Sequence, residues 1–325
     1  MPSKRPVDKA ITSDRLPKKH VRNLWIDKVE EEEGKLDSDH QTPIYLTLPG
    51  GEGKEIQELI DRGILGRTEA TSIRDSDKWK VVAVENCPRE VSKLQRKFPG
   101  LIIHQTSIAD LLKGDGELRF PEGRVLKHCL AKIINLDLNF PLKGKFVNSV
   151  SIYPIVQLIK KIAEIHNNQS PSEEWFLFLT LHGEIQLEEK MKSEVVTFIN
   201  ENLSGHPEFA EKAEKLINQM DEKRIDSNIL NIILKNGKLQ QKFIMLFLPK
   251  LVADRLKNHK WNIIINHAYI YGSLPDSAPM TTWIMSFRKN NSDGATGNSC
   301  YEDNVNNILN NLAEIDSNGR VKAIV

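Results

Sequence analysis

Cysteine is scarce. Three thiols, Cys87, Cys129 and Cys300, lie far apart in 325 residues. No Cys-x-x-Cys pair or Cys/His spacing suited to zinc occurs, and His104, His128, His166, His182 and His267 are scattered with no His-x-x-x-His on a helix. A metal centre is therefore not expected. The odd, dispersed thiols suit a reducing compartment. Net charge is nearly absent, at +1, so no global field points to nucleic acid or a membrane surface. Long apolar runs are missing too. Phe243 to Val252 is interrupted by Pro249 and Lys250 and falls well short of the roughly 20 residues that span a bilayer. The opening Met1-Pro2-Ser3-Lys4-Arg5-Pro6 is polar with no apolar segment behind it, and the expected location is cytoplasmic. No Gly-x-Ser-x-Gly elbow is present, which argues against an α/β-hydrolase. No internal repeat is visible.

What is present is an ordinary globular composition, 39% hydrophobic and 27% charged, enough to bury a sizeable core. Residues 1–42 read as an extension ahead of the fold. Lys4, Arg5, Lys9, Arg15, Lys18, Lys19, Arg22 and Lys28 dominate it, and Glu30 to Glu33 follow as an acidic run. It reads as a solvated arm, or as a contact for a protein or nucleic acid with Trp25 as apolar anchor.

An alternation begins at residue 43. Ile44 to Leu48, Lys80 to Glu85, Leu101 to Ile103, Lys132 to Leu138 and Trp175 to Leu181 read as strands. Between them, Ile56, Leu59, Ile60 and Ile64, then Val91, Leu94 and Phe98, then Ile108, Leu111 and Leu112, then Val156, Ile159, Ile162, Ala163 and Ile165 recur at helical spacing. Strands with continuous apolar character that alternate with helices imply parallel βαβ units. Residues 43–184 are thus the expected nucleotide-binding α/β half. Residues 185–242 carry helical patterns and no convincing strand, and read as a helical insertion. Residues 243–290 close the α/β domain with a crossover helix, Phe243 to Leu256, and two strands, Trp261 to Tyr271 and Met280 to Phe287. Eight residues are too few for a crossover helix, so that pair is expected antiparallel. Residues 291–325 read as a polar loop and a last helix carrying Val305, Ile308, Leu309 and Leu312. The expected class is α/β, a doubly wound, mostly parallel seven-stranded sheet with an antiparallel terminal strand and a helical insertion.

Five parallel βα units followed by an antiparallel hairpin resemble the class I S-adenosylmethionine-dependent methyltransferase family (Rossmann-like), over roughly residues 44–288. The motif Asp-x-Gly-x-Gly-x-Gly falls on Thr47, Pro49, Gly51 and Gly53: two glycines stay and the acid is missing, with Glu52 or Glu55 as a substitute. Glu85 stands where the family holds the ribose hydroxyls. Ser107 stands at the adenine-binding acid's place, in Gln105-Thr106-Ser107-Ile108, with Ile108 flanking the ring. Asn135-Leu136-Asp137-Leu138-Asn139-Phe140-Pro141 echoes the motif that hydrogen-bonds a target amine. The resemblance implies S-adenosyl-L-methionine as cofactor, bound by Leu48, Pro49, Gly50, Gly51, Gly53, Glu85, Asn86, Ser107, Ile108 and Asp137. It implies Asp137 and Asn139 as catalytic residues. His182, directly after the fifth strand, is a substrate-side candidate.

A P-loop fits poorly, because Leu48 stands where glycine is required and Glu55 where the magnesium-binding hydroxyl belongs. The antiparallel terminal pair argues against an NAD-type domain. Two functions remain: a methyltransferase whose substrate is unidentified, nucleic acid among the candidates, and a non-catalytic protein of the same fold acting as a nucleotide sensor or complex subunit. In either, the arm or the helical insertion is a surface for a protein or nucleic-acid partner.

Overall fold

A computed structural model describes residues 16–35, 43–69, 71–112, 117–119, 125–127, 130–138, 149–169, 172–182, 184–187, 189–217, 224–256, 261–271, 280–289 and 310–324. The chain divides into two compact units, residues 1–137 with 165–178, and residues 138–164 with 179–325.

The first unit opens with helix α1 (Leu16–Glu33), followed by β1 (Tyr45–Thr47), α2 (Lys54–Asp61), β2 (Val81–Val84), α3 (Pro88–Lys97), β3 (Ile102–His104) and α4 (Ile108–Leu111). A small antiparallel pair, β4 (Glu117–Arg119) and β5 (Val125–Lys127), precedes β6 (Ile133–Leu138). β1 pairs in parallel with β2 on one side and with β6 on the other, and β2 pairs in parallel with β3. β1 and β2 are buried along their whole length, which explains their unbroken apolar or β-branched runs. α3 carries Pro88 and Glu90 in its first turn and Arg96 and Lys97 in its last, matching the ends of the helix dipole.

α1 is part of this core. Val21, Trp25, Ile26 and Val29 are buried on it, and Trp25, 2% exposed, stacks on Phe178 at 6.1 Å between ring centroids. Lys28 stands 4.1 Å over the Phe176 ring. Two cations expected on a solvated arm, Lys18 and Arg22, are buried on the same helix. Lys19 is exposed on α1, and Lys4, Arg5, Lys9 and Arg15 lie outside the described residues.

Next along the chain come β7 (Ser149–Ser151), α5 (Ile152–Gln169), β8 (Glu174–His182), β9 (Glu184–Gln186), α6 (Glu189–Gly205), α7 (Pro207–Ile217), α8 (Ser227–Lys235), α9 (Gly237–Leu256), β10 (Trp261–Tyr271), β11 (Met280–Lys289), β12 (Leu312–Ile315) and β13 (Val321–Ala323). Most of these belong to the second unit; α5 and β8 each contribute to both. α6, α7 and α8 occupy the stretch read as a helical insertion, and β9, in parallel with β7, touches its first residues. β10 and β11 are antiparallel as expected, with a bulge between Ile265 and His267. α9 runs through Pro249, which has no N–H for the carbonyl four residues back on Met245. That carbonyl accepts the Trp283 indole N–H instead, at 3.2 Å. Thr180, the one hydroxyl in an apolar strand, meets the Thr282 hydroxyl at 2.8 Å.

The strand order is β13-β12-β10-β11-β8-β6-β1-β2-β3, one mixed sheet of nine strands instead of the expected seven. The two added strands lie beyond β10. β12 pairs with β10 in parallel and β13 returns antiparallel. Leu312, assigned by its spacing to a last helix, is a strand residue. Asp316-Ser317-Asn318-Gly319 makes the tight return: Asp316 Oδ1 accepts from the N–H groups of Asn318 and Arg320, and Gly319 has φ 76°. Val305, Ile308 and Leu309 lie outside the described residues. Among the described residues, no helix is long and apolar enough to cross a membrane.

Candidate functional site

The strand order reverses at β1: the chain steps to β2 and β3 on one side, then returns on the other with β6. In an open parallel sheet such a reversal separates the connections leaving the two central strands. The gap between them, at the carboxyl ends, is where ligands bind. The segment after β1 is the Leu48 to Gly53 turn, and the residue near the end of β6 is Asp137.

The turn is shaped by backbone conformations that side chains resist. Gly50 and Gly53 have φ of 57° and 52°. At Gly53 a Cβ would also stand 2.5 Å from Phe98 and 2.9 Å from Leu94, so glycine is required for α3 to pack against the turn. At Gly51 the space is filled by the Glu90 carboxylate, a flexible group that pairs with Lys93 at 2.8 Å. The close approaches at both glycines are thus made by α3. Gly53 leads into α2 without any side chain capping that helix, leaving first-turn N–H groups to face an anion.

Glu85 follows β2 and is half-buried. Its Oε1 accepts the Cys87 N–H at 2.8 Å at the start of α3. Burial pushes this carboxyl up, the Cys87 N–H pulls it down, and Glu90 raises it further. Asn86, beside it, is exposed. After β3, Ser107 caps α4: its hydroxyl accepts from the Asp110 N–H at 3.1 Å and donates to the Asp110 carboxylate at 2.7 Å. Ile108 is buried behind it. Leu48, Pro49 and Gly50 are partly exposed along the turn.

Glu55 and Asp137 are separate candidates in the sequence, and the fold joins them in one polar cluster with Tyr45, Thr47 and Asn135. Register sets Thr47 opposite Asn135, so Tyr45, Thr47, Asn135 and Asp137 share one face of the sheet. Glu55, buried on α2, reaches this face. The Thr47 hydroxyl donates to Glu55 Oε1, while Asn135 Nδ2 at 3.1 Å and the Tyr45 hydroxyl at 3.4 Å donate to Oε2. Three donors converging on one carboxylate is the pattern of an ionised acceptor. Burial nevertheless pushes the Glu55 carboxyl up. The Thr47 hydrogen bond opposes that rise, Asp137 adds to it, and Arg22 and Lys18 lower it.

α1 closes the same face. Lys18 Nζ donates to Asp137 Oδ2 at 3.1 Å, with side chains 7% and 13% exposed. Among the described residues, Asp137 Oδ1 and Asn135 Oδ1 are buried without a hydrogen-bond partner. The signal in the sequence was the break in apolar character. Thr47, Asn135 and Asp137 interrupt strands that otherwise have two buried faces, and Asn135 and Asp137 do so at a spacing of two.

The first unit thus brings together the turn, Glu85, Asn86, Ser107, Ile108 and Asp137 at the carboxyl ends of β1, β2, β3 and β6. His182 is the last residue of β8 and belongs to the second unit. Asn139 lies outside the described residues, as do Phe140 and Pro141. Among the described residues, no three His, Cys, Asp or Glu side chains gather as a metal site. Neither a protein-family model nor a curated protein sequence matches the chain.

Proposed function

We propose that the chain is a methyltransferase-like protein that binds S-adenosylmethionine at the reversal point of its sheet. The observation that carries this reading is the set of groups at the carboxyl ends of three adjacent parallel strands: the glycine turn after β1, Glu85 after β2 and Asp137 near the end of β6. Strand order supports it as well. Without the two edge strands β12 and β13, five βα strands are followed by an antiparallel pair, and β11 lies between β8 and β10.

The groups present suit the cofactor. Glu85 offers a carboxylate at a strand end, able to accept from two vicinal hydroxyls. The uncapped start of α2 faces a carboxylate with N–H donors. Ile108 is an apolar surface for a flat ring. The orphaned acceptor atoms of Asn135 and Asp137 call for a donor such as an amine N–H. S-adenosylmethionine supplies an electrophilic methyl group on sulfonium, and its transfer needs an aligned nucleophile more than acid–base chemistry. In this reading Asp137 holds that nucleophile through Oδ1, while Lys18 fixes Oδ2.

A second reading is binding without transfer. The observation favouring it is the Lys18–Asp137 pair, in which the protein's own ammonium occupies the substrate-facing acid. Calorimetric titration of S-adenosylmethionine and S-adenosylhomocysteine into wild type and Glu85→Ala tests both. We expect micromolar-range binding to wild type, weakened at least about tenfold in the variant. Absence of binding to wild type by either ligand refutes the proposal. Binding without methylation of any RNA, DNA or protein offered favours the second reading.

A further inference from the structure

The end of β1 carries threonine where the methyltransferase resemblance calls for an acid. Directly behind that threonine stands Glu55, in the first turn of α2, accepting the Thr47 hydroxyl and the Asn135 amide. The other substitute considered from sequence, Glu52, is exposed, and its backbone carbonyl is held by Lys97 at 2.7 Å. The Asn135 amide is oriented by this contact: a carboxylate demands the NH2 side, which turns Oδ1 away. The contact therefore calls for an acceptor oxygen at position 55, which a carboxylate supplies.

Among the described residues, three charged groups act on Glu55: Asp137, Arg22 and Lys18. Glu55 and Asp137 are two negatives. Lys18 and Arg22, both buried on α1, are two positives. Tyr45 is also on this face, and burial pushes its hydroxyl well above the ordinary range, so it stays neutral. Removing the Glu55 charge leaves an excess positive charge beneath the strand end, in a buried setting where water screens it poorly.

From this geometry we infer that Glu55 is the relocated acid of the first strand, a positioning residue acting through Thr47 that makes the turn receptive to a cationic ligand. The inference rests on the cofactor reading above. Glu55 does not touch the ligand. Its carboxylate offsets the cations of α1, so a ligand bearing ammonium and sulfonium charges can bind at the end of β1.

The test compares two probes differing by one charge. S-adenosylmethionine carries the sulfonium, and S-adenosylhomocysteine has a neutral thioether in its place. Both are titrated at pH 8 into the full chain, with folding checked by circular dichroism. Glu55→Gln is expected to weaken S-adenosylmethionine about tenfold or more and S-adenosylhomocysteine much less, because only a charge effect distinguishes them. Returning the carboxylate to the strand, in Thr47→Asp with Glu55→Gln, is expected to restore the ratio of affinities. Arg22→Met changes the balance in the other direction and is expected to shift the ratio toward S-adenosylmethionine; it also serves if Glu55→Gln does not fold. Equal loss for both probes, or an unchanged ratio in Glu55→Gln or in Arg22→Met, overturns the inference while leaving the cofactor reading intact. A wild type that binds neither probe fails the cofactor reading itself, and the inference falls with it.

Discussion

At the scale of residues, the buried face below β1 ties stability to pH through Glu55. Its carboxyl is pushed above 4.5 in the folded chain, chiefly by burial, so between the unfolded and folded values the folded state holds a proton that the unfolded chain has released, and above the folded value both are ionised. The sign follows from linkage. Protonated Glu55 favours folding fully below the unfolded value, and this contribution is lost as pH rises through the folded value. Glu55→Gln removes that dependence. Urea denaturation of both proteins at pH 4.5 and pH 8 is expected to show the variant gaining on wild type as pH rises. A constant difference would mean that Glu55 titrates normally. Glu85, Asp137 and the glycines were legible in the sequence because each has a residue type and strand position of its own. The Glu55–Thr47 contact was not. It depends on α2 folding back over β1 and on the register that brings Asn135 opposite Thr47, and neither is encoded in local spacing.

At the scale of elements, α9 shows how a helix tolerates an internal proline. Pro249 leaves the Met245 carbonyl without its helical donor, and Trp283 on β11 supplies one. Trp283→Phe keeps an aromatic ring and removes the donor. It is expected to cost about 1–3 kcal/mol, the usual penalty for orphaning a buried carbonyl. Pro249→Ala returns an N–H to the helix, so the same Trp283→Phe change should then cost measurably less. A double-mutant cycle by denaturation reads the coupling, and additive effects would sever the link between the two residues. Elements with a strong period were readable from sequence: the βα alternation, and the crossover helix within α9. α1 was hidden because its buried stripe mixes Lys18, Arg22 and Glu32 with Val21, Trp25 and Val29. β4, β5, β7 and β9 are three residues each, too short to show a period. The return between β12 and β13 had a readable sign, Asn318-Gly319, that the helical spacing of Leu312 overrode.

At the scale of the whole molecule, residues 1–42 divide into two functions. Lys18, Arg22 and Trp25 belong to the core of the first unit. Deleting residues 1–35 exposes the faces of Phe178 and Asp137 that α1 covers, and removing one partner of a buried ion pair alone costs about 3–5 kcal/mol. That truncation is expected to yield insoluble or unfolded protein. Deleting residues 1–15 removes Lys4, Arg5, Lys9 and Arg15 but spares the helix. It is expected to preserve the melting temperature within a few degrees and to report cleanly on nucleic-acid binding by the arm. A cooperative melt in the longer deletion, matching wild type, would return α1 to the status of an appendage.

The position of α1 also has a temporal meaning. α1 is synthesised before its partners: Asp137 lies 119 residues after Lys18 and Phe178 later still. The first unit is completed only by residues 165–178, after an excursion into the second. During synthesis Trp25 therefore has no Phe178 ring to stack on until that residue has emerged. Its dense charge is suited to that wait, and the Lys18–Asp137 and Trp25–Phe178 contacts are long-range ones whose loop closure is costly in folding.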